Sequence, residues 1–219
     1  MLAPEQLDSF AAAFTVLGNL QLSPPEEETR AQVLSMLTEW PILGDEGSAT
    51  GRGVAALRAS GECSETADDI RRDQDLMYGI TATVRVAPYE SVHRSREGLV
   101  FDLETLEVRQ VYRQMGLQAP RLNREPDDHI GLELNFLAHC CLSALTALEQ
   151  GVDESAERYI AIASEFTRDH VNRWVPRMLI DAAEQADTRW LEGIEFLTLG
   201  ALDEWNSVLA EAGYEVEGA

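Results

Sequence analysis

The chain has 219 residues, 45% of them hydrophobic, enough to bury a sizeable core without disulfides or a structural metal. Acidic residues number 39 against 17 basic ones, a formal net charge of −22, which disfavours nucleic acid and anionic membrane surfaces and favours a basic partner. Every basic residue is an arginine, so no lysine is present for a Schiff base or a phosphate-binding loop.

Met1-Leu2-Ala3-Pro4-Glu5 has no basic segment, and no run approaches 18 uninterrupted apolar residues, so neither a signal peptide nor a membrane span is expected. Pro4 to about Leu20 reads as a helix with Leu7, Phe10, Phe14 and Leu17 on one stripe. Ser23-Pro24-Pro25 ends it, and Glu26-Glu27-Glu28 opens a second helix that carries Val33, Leu34, Leu37 and Trp40. A Gly- and Asp-rich loop follows from Gly44 to Gly53, and helical patterns resume over Val54–Ala59 and Glu65–Tyr78. Arg71-Arg72 is a twin arginine inside that last helix and no export signal of this chain. Thr81 to Pro88 is the one β-like run; it lacks a partner and reads as an extended connector, with a possible hinge around 79–102. The next helix starts near Leu103, carries Leu106, Val108, Val111, Tyr112 and Met115, and is capped by Gly116.

Arg124 to His139 holds the densest signals. Pro126 is placed to open a helix, with Asp127 and Asp128 in its first turn, where the helix dipole favours carboxylates. Ile130, Leu134, Leu137, Cys141, Leu145 and Leu148 then form one apolar stripe to about Gln150, and Gly151 stops the helix. Helices over Asp153–His170, Trp174–Ala186 and Thr188–Ala212 complete the chain. The expected fold is all-α, a single globular domain over 1–219 with about eight or nine helices. Cys63, Cys140 and Cys141 are odd in number and contain no Cys-x-x-Cys pair. They read as small core-filling residues of a reduced, cytoplasmic protein.

Three segments carry a family resemblance. Glu125-Pro126-Asp127-Asp128-His129 with Leu132-Glu133-Leu134-Asn135-Phe136-Leu137 resembles the Glu-Pro-x-Asp-His…Glu-Leu-x-Phe signature of the TorD/DmsD/NarJ chaperones of molybdopterin oxidoreductases. Pro88-Tyr89-Glu90-Ser91-Val92-His93 resembles the Pro-aromatic-x-Ser-Val-aromatic segment of that family. Phe166 to Pro176 resembles its Phe-x-x-acid-His-x-x-x-Trp-x-Pro segment. The likeness covers roughly residues 75–205. It implies an all-helical TorD-like fold and a monomer or a domain-swapped homodimer; no cofactor is expected, and the net charge argues against nucleic acid.

Other chemistry is poorly supported. His129 and Glu133 give His-x-x-x-Glu, not the His-Glu-x-x-His of a zinc protease, so no metal is expected. No Gly-x-Ser-x-Gly elbow or nucleotide-binding glycine motif is present. Peptide binding fits better. A twin-arginine signal peptide pairs two arginines with an apolar stretch. Glu125, Asp127 and Asp128 are candidate acceptors for its guanidinium groups, and Met77, Tyr78, Pro88 and Tyr89 are candidates for its apolar part. The resemblance carries the family's pocket to Pro126, Asp128, His129, Pro88 and Tyr89, with Ser91 in the second segment and Met77-Tyr78 where the family has Leu-Phe. The expected function is a cytoplasmic chaperone that binds the signal peptide and apo form of an oxidoreductase catalytic subunit until cofactor insertion. Two alternatives stand beside it: an assembly chaperone for a non-exported nitrate-reductase-like subunit, and a small-molecule enzyme built on Asp128 and His129.

Overall fold

The computed structural model describes residues 2–79, 84–122 and 124–216. Its regular structure is helical: α1 (Pro4–Leu22), α2 (Glu27–Ser35), α3 (Ala49–Glu62), α4 (Ala67–Tyr78), α5 (Glu90–Arg94), α6 (Leu103–Gln114), α7 (Ile130–Glu149), α8 (Asp153–Phe166), α9 (Asn172–Gln185) and α10 (Arg189–Glu211). A 3-10 turn over Leu37–Glu39 follows α2, and a π turn over Thr167–Val171 joins α8 to α9. Helix starts are set by side chains that accept otherwise orphaned N–H groups: Ser48 for α3, Thr66 for α4 and Thr188 for α10.

The all-α expectation holds, with three local differences. The helix expected to open at Pro126 opens at Ile130, with His129 as its extended N-cap. A short helix, α5, lies in the stretch taken as a hinge. The break expected between His170 and Trp174 is bridged by the π turn, which keeps the chain helical from Asp153 to Gln185. Of the β-like run, Thr81, Ala82 and Thr83 lie outside the described residues. Val84 to Pro88 form no strand, and Arg85 and Val86 donate to carbonyls of Leu76 and Met77.

α7 is the structural axis. Among the described residues it is the one helix long and apolar enough to cross a membrane by length and composition, yet most of it is buried inside the protein. It packs on α1 and α8, while α10 packs on α3 and α9. Where α1 meets α10, Phe10 and Phe14 set their rings 4.9 and 5.8 Å from that of Trp205. The Trp205 indole N–H donates to Thr167 Oγ1 at 2.9 Å, so the π turn supplies an acceptor to the centre of the core. Cys140 and Cys141 are buried as expected, and burial pushes both thiols up, Cys140 to about 12. Cys63 is exposed, contrary to expectation, because it caps α3 at the surface.

Two helix pairs meet backbone to backbone at glycines. A Cβ on Gly131 would lie 2.6 Å from the Gly18 carbonyl oxygen, and one on Gly53 would lie 2.9 Å from that of Gly193. Gly131→Ala therefore forces α1 away from α7, an overpacking cost of roughly 1–3 kcal/mol that outweighs a helix-propensity gain of at most about 1 kcal/mol. The expected result is a lower urea midpoint with an unchanged slope. A midpoint equal to the parent's would show that the two helices separate freely.

Candidate functional site

The site begins with backbone pairing. Tyr89 and His129 form an isolated antiparallel bridge: Ile130 N–H donates to Pro88 O and Glu90 N–H to Asp128 O, both at 3.0 Å. This sets α5 against the start of α7. Asp128, fully buried, then completes the junction. Its Oδ2 accepts the Ser91 N–H at 2.7 Å, and its Oδ1 accepts the Thr105 hydroxyl at 2.7 Å. One carboxylate thus ties together α5, α6 and the entry to α7. Asp127, also fully buried, pairs with Arg109, and the Tyr112 hydroxyl donates to its carbonyl at 3.2 Å.

The third segment closes the same junction. Glu90 is fully buried and accepts from Arg94 and from His170 Nδ1, the latter at 2.9 Å. His93 stacks on Trp174 with centroids 5.1 Å apart. The Trp174 indole N–H donates to buried Glu133 at 3.3 Å. Burial, reinforced by the charges of Glu90 and Asp128, pushes the Glu133 carboxyl well above its usual range. The three segments that carry the resemblance, far apart in sequence, therefore converge on one buried polar knot.

A cleft opens beside this knot. One half, of about 380 Å³, is lined by Gln21, Gln74, Asp75, Tyr78, Tyr89, Arg121, Glu125, Pro126 and His129, with the α1–α2 corner at Leu22 to Pro24. The other, of about 360 Å³, is lined by Tyr78, Val84, Pro88, Tyr89, Val92, Val100, Phe101, Arg124, Glu125 and Pro126. Tyr78, Tyr89, Glu125 and Pro126 belong to both. Each half has room for a few side chains, the scale of a peptide or small ligand.

His129 sits at the seam of knot and cleft. Its Nδ1 accepts the Gly131 N–H at 3.0 Å, and its ring meets that of Tyr89 edge-on at 5.2 Å. Burial lowers its pKa to about 4, so the imidazole is neutral at physiological pH and presents Nε2 as the N–H donor.

Most of the sequence-derived residues therefore gather in one place, but in two roles. Tyr78, Pro88, Tyr89, Glu125, Pro126 and His129 line the cleft. Asp127, Asp128, Ser91 and Met77 do not; they are buried, the two aspartates with internal partners and Met77 in the apolar core. The expectation that Asp127 and Asp128 lie in the first turn of a helix is corrected for the same reason: their carboxylates bond outside the helix. Gln21 and the Gly98–Phe101 turn were missed as lining residues. Only the Ser23-Pro24-Pro25 break hinted that a corner lay there.

The family model described as nitrate reductase delta subunit matches residues 57–179, more than half of the chain. The chain belongs to that family. The matched stretch contains the whole knot. It is 28% identical to the Tat proofreading chaperone DmsD of Salmonella typhi over 210 residues, covering 93% of this chain and 92% of that one. The DmsD of Salmonella typhimurium is 32% identical over 201 residues, covering 81% of this chain and 95% of the relative. The chaperone protein TorD of Vibrio cholerae is 30% identical over 91 residues, covering 41% and 39%. These likenesses agree with the family expected from the three segments.

Beneath the cleft lies another buried acid, outside the knot. Gln21 donates from its amide to Glu195 at 2.9 Å, and Glu195 is fully buried. Burial raises its pKa to about 7. The unfolded chain releases this proton near 4.5, so Glu195 weakens the fold progressively as pH rises from 4.5 to 7. Glu195→Gln, which mimics the protonated form, is expected to melt above the parent at about pH 7.5 and to match it near pH 4.5. An equal difference at both pH values would show that the carboxyl does not titrate across this window.

Asp128→Ala strands the Ser91 N–H and the Thr105 hydroxyl. Two hydrogen bonds to a charged acceptor are worth about 1.5–3 kcal/mol each. A first-turn helix charge is worth only about 0.3–1 kcal/mol. Chemical denaturation is expected to show a loss of roughly 3 kcal/mol or more. A loss below about 1 kcal/mol would restore the simple helix-start role.

Proposed function

We propose that this protein is a maturation chaperone, not an enzyme, that binds the twin-arginine signal peptide of a molybdopterin oxidoreductase catalytic subunit and holds the apo form until its cofactor is inserted. The observation that carries this reading is the cleft: acidic groups and aromatic rings brought together by the segments shared with proteins named as chaperones. Asp75 is exposed and Glu125 half-buried on its wall, so both can accept guanidinium N–H groups. Glu125 already pairs with exposed Arg121, an interaction worth little at a surface, so an incoming guanidinium exchanges with it at small cost. Tyr78 and Tyr89 supply apolar area with few rotatable bonds. The work needs no covalent step; it requires tighter binding to the immature client than to the mature one. The compartment is cytoplasmic in this reading, where such a client is made. The family's description as a nitrate reductase subunit favours one second reading, a client whose bound segment lacks the arginine pair.

Calorimetric titration with a synthetic peptide of two adjacent arginines and an apolar stretch tests this. Affinity is expected to fall as salt rises from about 0.05 to 0.5 M, since exposed charges are screened beyond roughly 10 Å at 0.1 M. The double variant Asp75→Asn, Glu125→Gln is expected to bind several-fold more weakly with an unchanged melting temperature. If the variant binds as the parent does, these carboxylates do not hold the arginines. If the arginine pair can be changed to glutamine without loss, the second reading is favoured.

A further inference from the structure

The two halves of the cleft differ in chemistry. The half at Gln21, Gln74, Asp75 and Glu125 is the more polar, with two carboxylates against Arg121. The half at Val84, Pro88, Val92, Val100 and Phe101 is apolar, with Arg124 at its rim. Beside it runs an exposed apolar turn: Leu99 is 55% exposed, Val100 and Phe101 46%, and Leu103 60%. Four large apolar side chains within five residues, open to water on so acidic a chain, are unusual outside a binding surface. Phe101 is also the one described non-glycine residue with positive φ, at +62°. A bulky residue there is strained, and such strain concentrates where a side chain is held for contact.

We propose that the Gly98–Phe101 turn, with Val84 and Val92, is a separate apolar subsite that takes the hydrophobic stretch following the arginine pair and fixes the direction in which the peptide lies. The inference rests on the signal-peptide reading above. Charge selects the occupant. An occupant basic at one end and apolar at the other matches the two halves, because the first sets Asp75 and Glu125 against Arg121, whereas in the second Arg124 offsets the shared Glu125. Tyr78 and Tyr89, common to both halves, mark the crossing point. The peptide's arginines then lie towards the α1–α2 corner and its apolar stretch towards the start of α6.

Two synthetic probes separate the possibilities: one with two adjacent arginines and an apolar stretch of about twelve Leu and Ala residues, the other with that stretch replaced by Ser and Gly. The parent is expected to prefer the first. Phe101→Gly removes the ring and relieves the backbone, so it should melt no lower than the parent; Val100→Ser provides an independent truncation. Each variant is expected to lose roughly tenfold in affinity for the apolar probe, the scale of one lost apolar contact, and nothing for the Ser/Gly probe. Equal binding of both probes by the parent, or parent-like binding of the apolar probe by both variants, overturns the subsite while leaving the signal-peptide reading intact. Failure of the parent to bind either probe overturns that reading, and the subsite with it.

Discussion

The Asp128 carboxylate is the constraint on which the rest of the site depends. Its two oxygens are taken by a backbone N–H of α5 and a hydroxyl of α6, while its carbonyl takes the Glu90 N–H. A buried anion must find donors, and here the only way to supply them is to bring three distant stretches to one point. Once they are there, Tyr89 is placed against His129 and the cleft wall exists. The cleft is a by-product of satisfying a charge, so the groups that build it and the groups that face a ligand are adjacent in sequence yet distinct in task.

Around that point the protein concentrates acids. Glu90, Asp127, Asp128 and Glu133 are all fully buried. Arg94 and His170 both answer Glu90, Arg109 answers Asp127, and Ser91 and Thr105 hold Asp128, while burial pushes the Glu133 carboxyl well above its usual range. The polar knot leaves Ser91 Oγ, Asp127 Oδ1 and Glu133 Oε1 without partners, yet its remaining bonds commit the local structure to one arrangement.

Much of this was legible in the sequence. The 3.6-residue stripes of α1 and α7 revealed their identity and inward faces, and the Pro-Asp-Asp-His and Pro-Tyr-x-Ser strings pointed to the right place. What failed was local inference at the N-terminus of α7. Pro126 followed by two acids is a good helix-start pattern, but long-range donors on Ser91 and Thr105 outcompeted the helix dipole for Asp128. α5 was invisible because five residues carry too little periodicity to register. The apolar turn at Leu99–Phe101 was equally hidden, since exposure is a property of the surrounding packing and not of the residues themselves. Gln21 and Glu195, 174 residues apart, have no shared signal at all.

The glycine contacts between α1 and α7 and between α3 and α10 carry a kinetic consequence. Each joins helices far apart along the chain; Asn19 meets Asn135 across 116 residues. Most all-helical proteins fold quickly because their contacts are local, whereas here large loops must close before the first helix gains its neighbour. During synthesis α1 and α3 emerge with apolar faces and without their main partners, and they stay so until α7 and α10 leave the ribosome. A protein that shelters unfinished clients thus passes through an unfinished state of its own, in which its N-terminal third is the exposed segment.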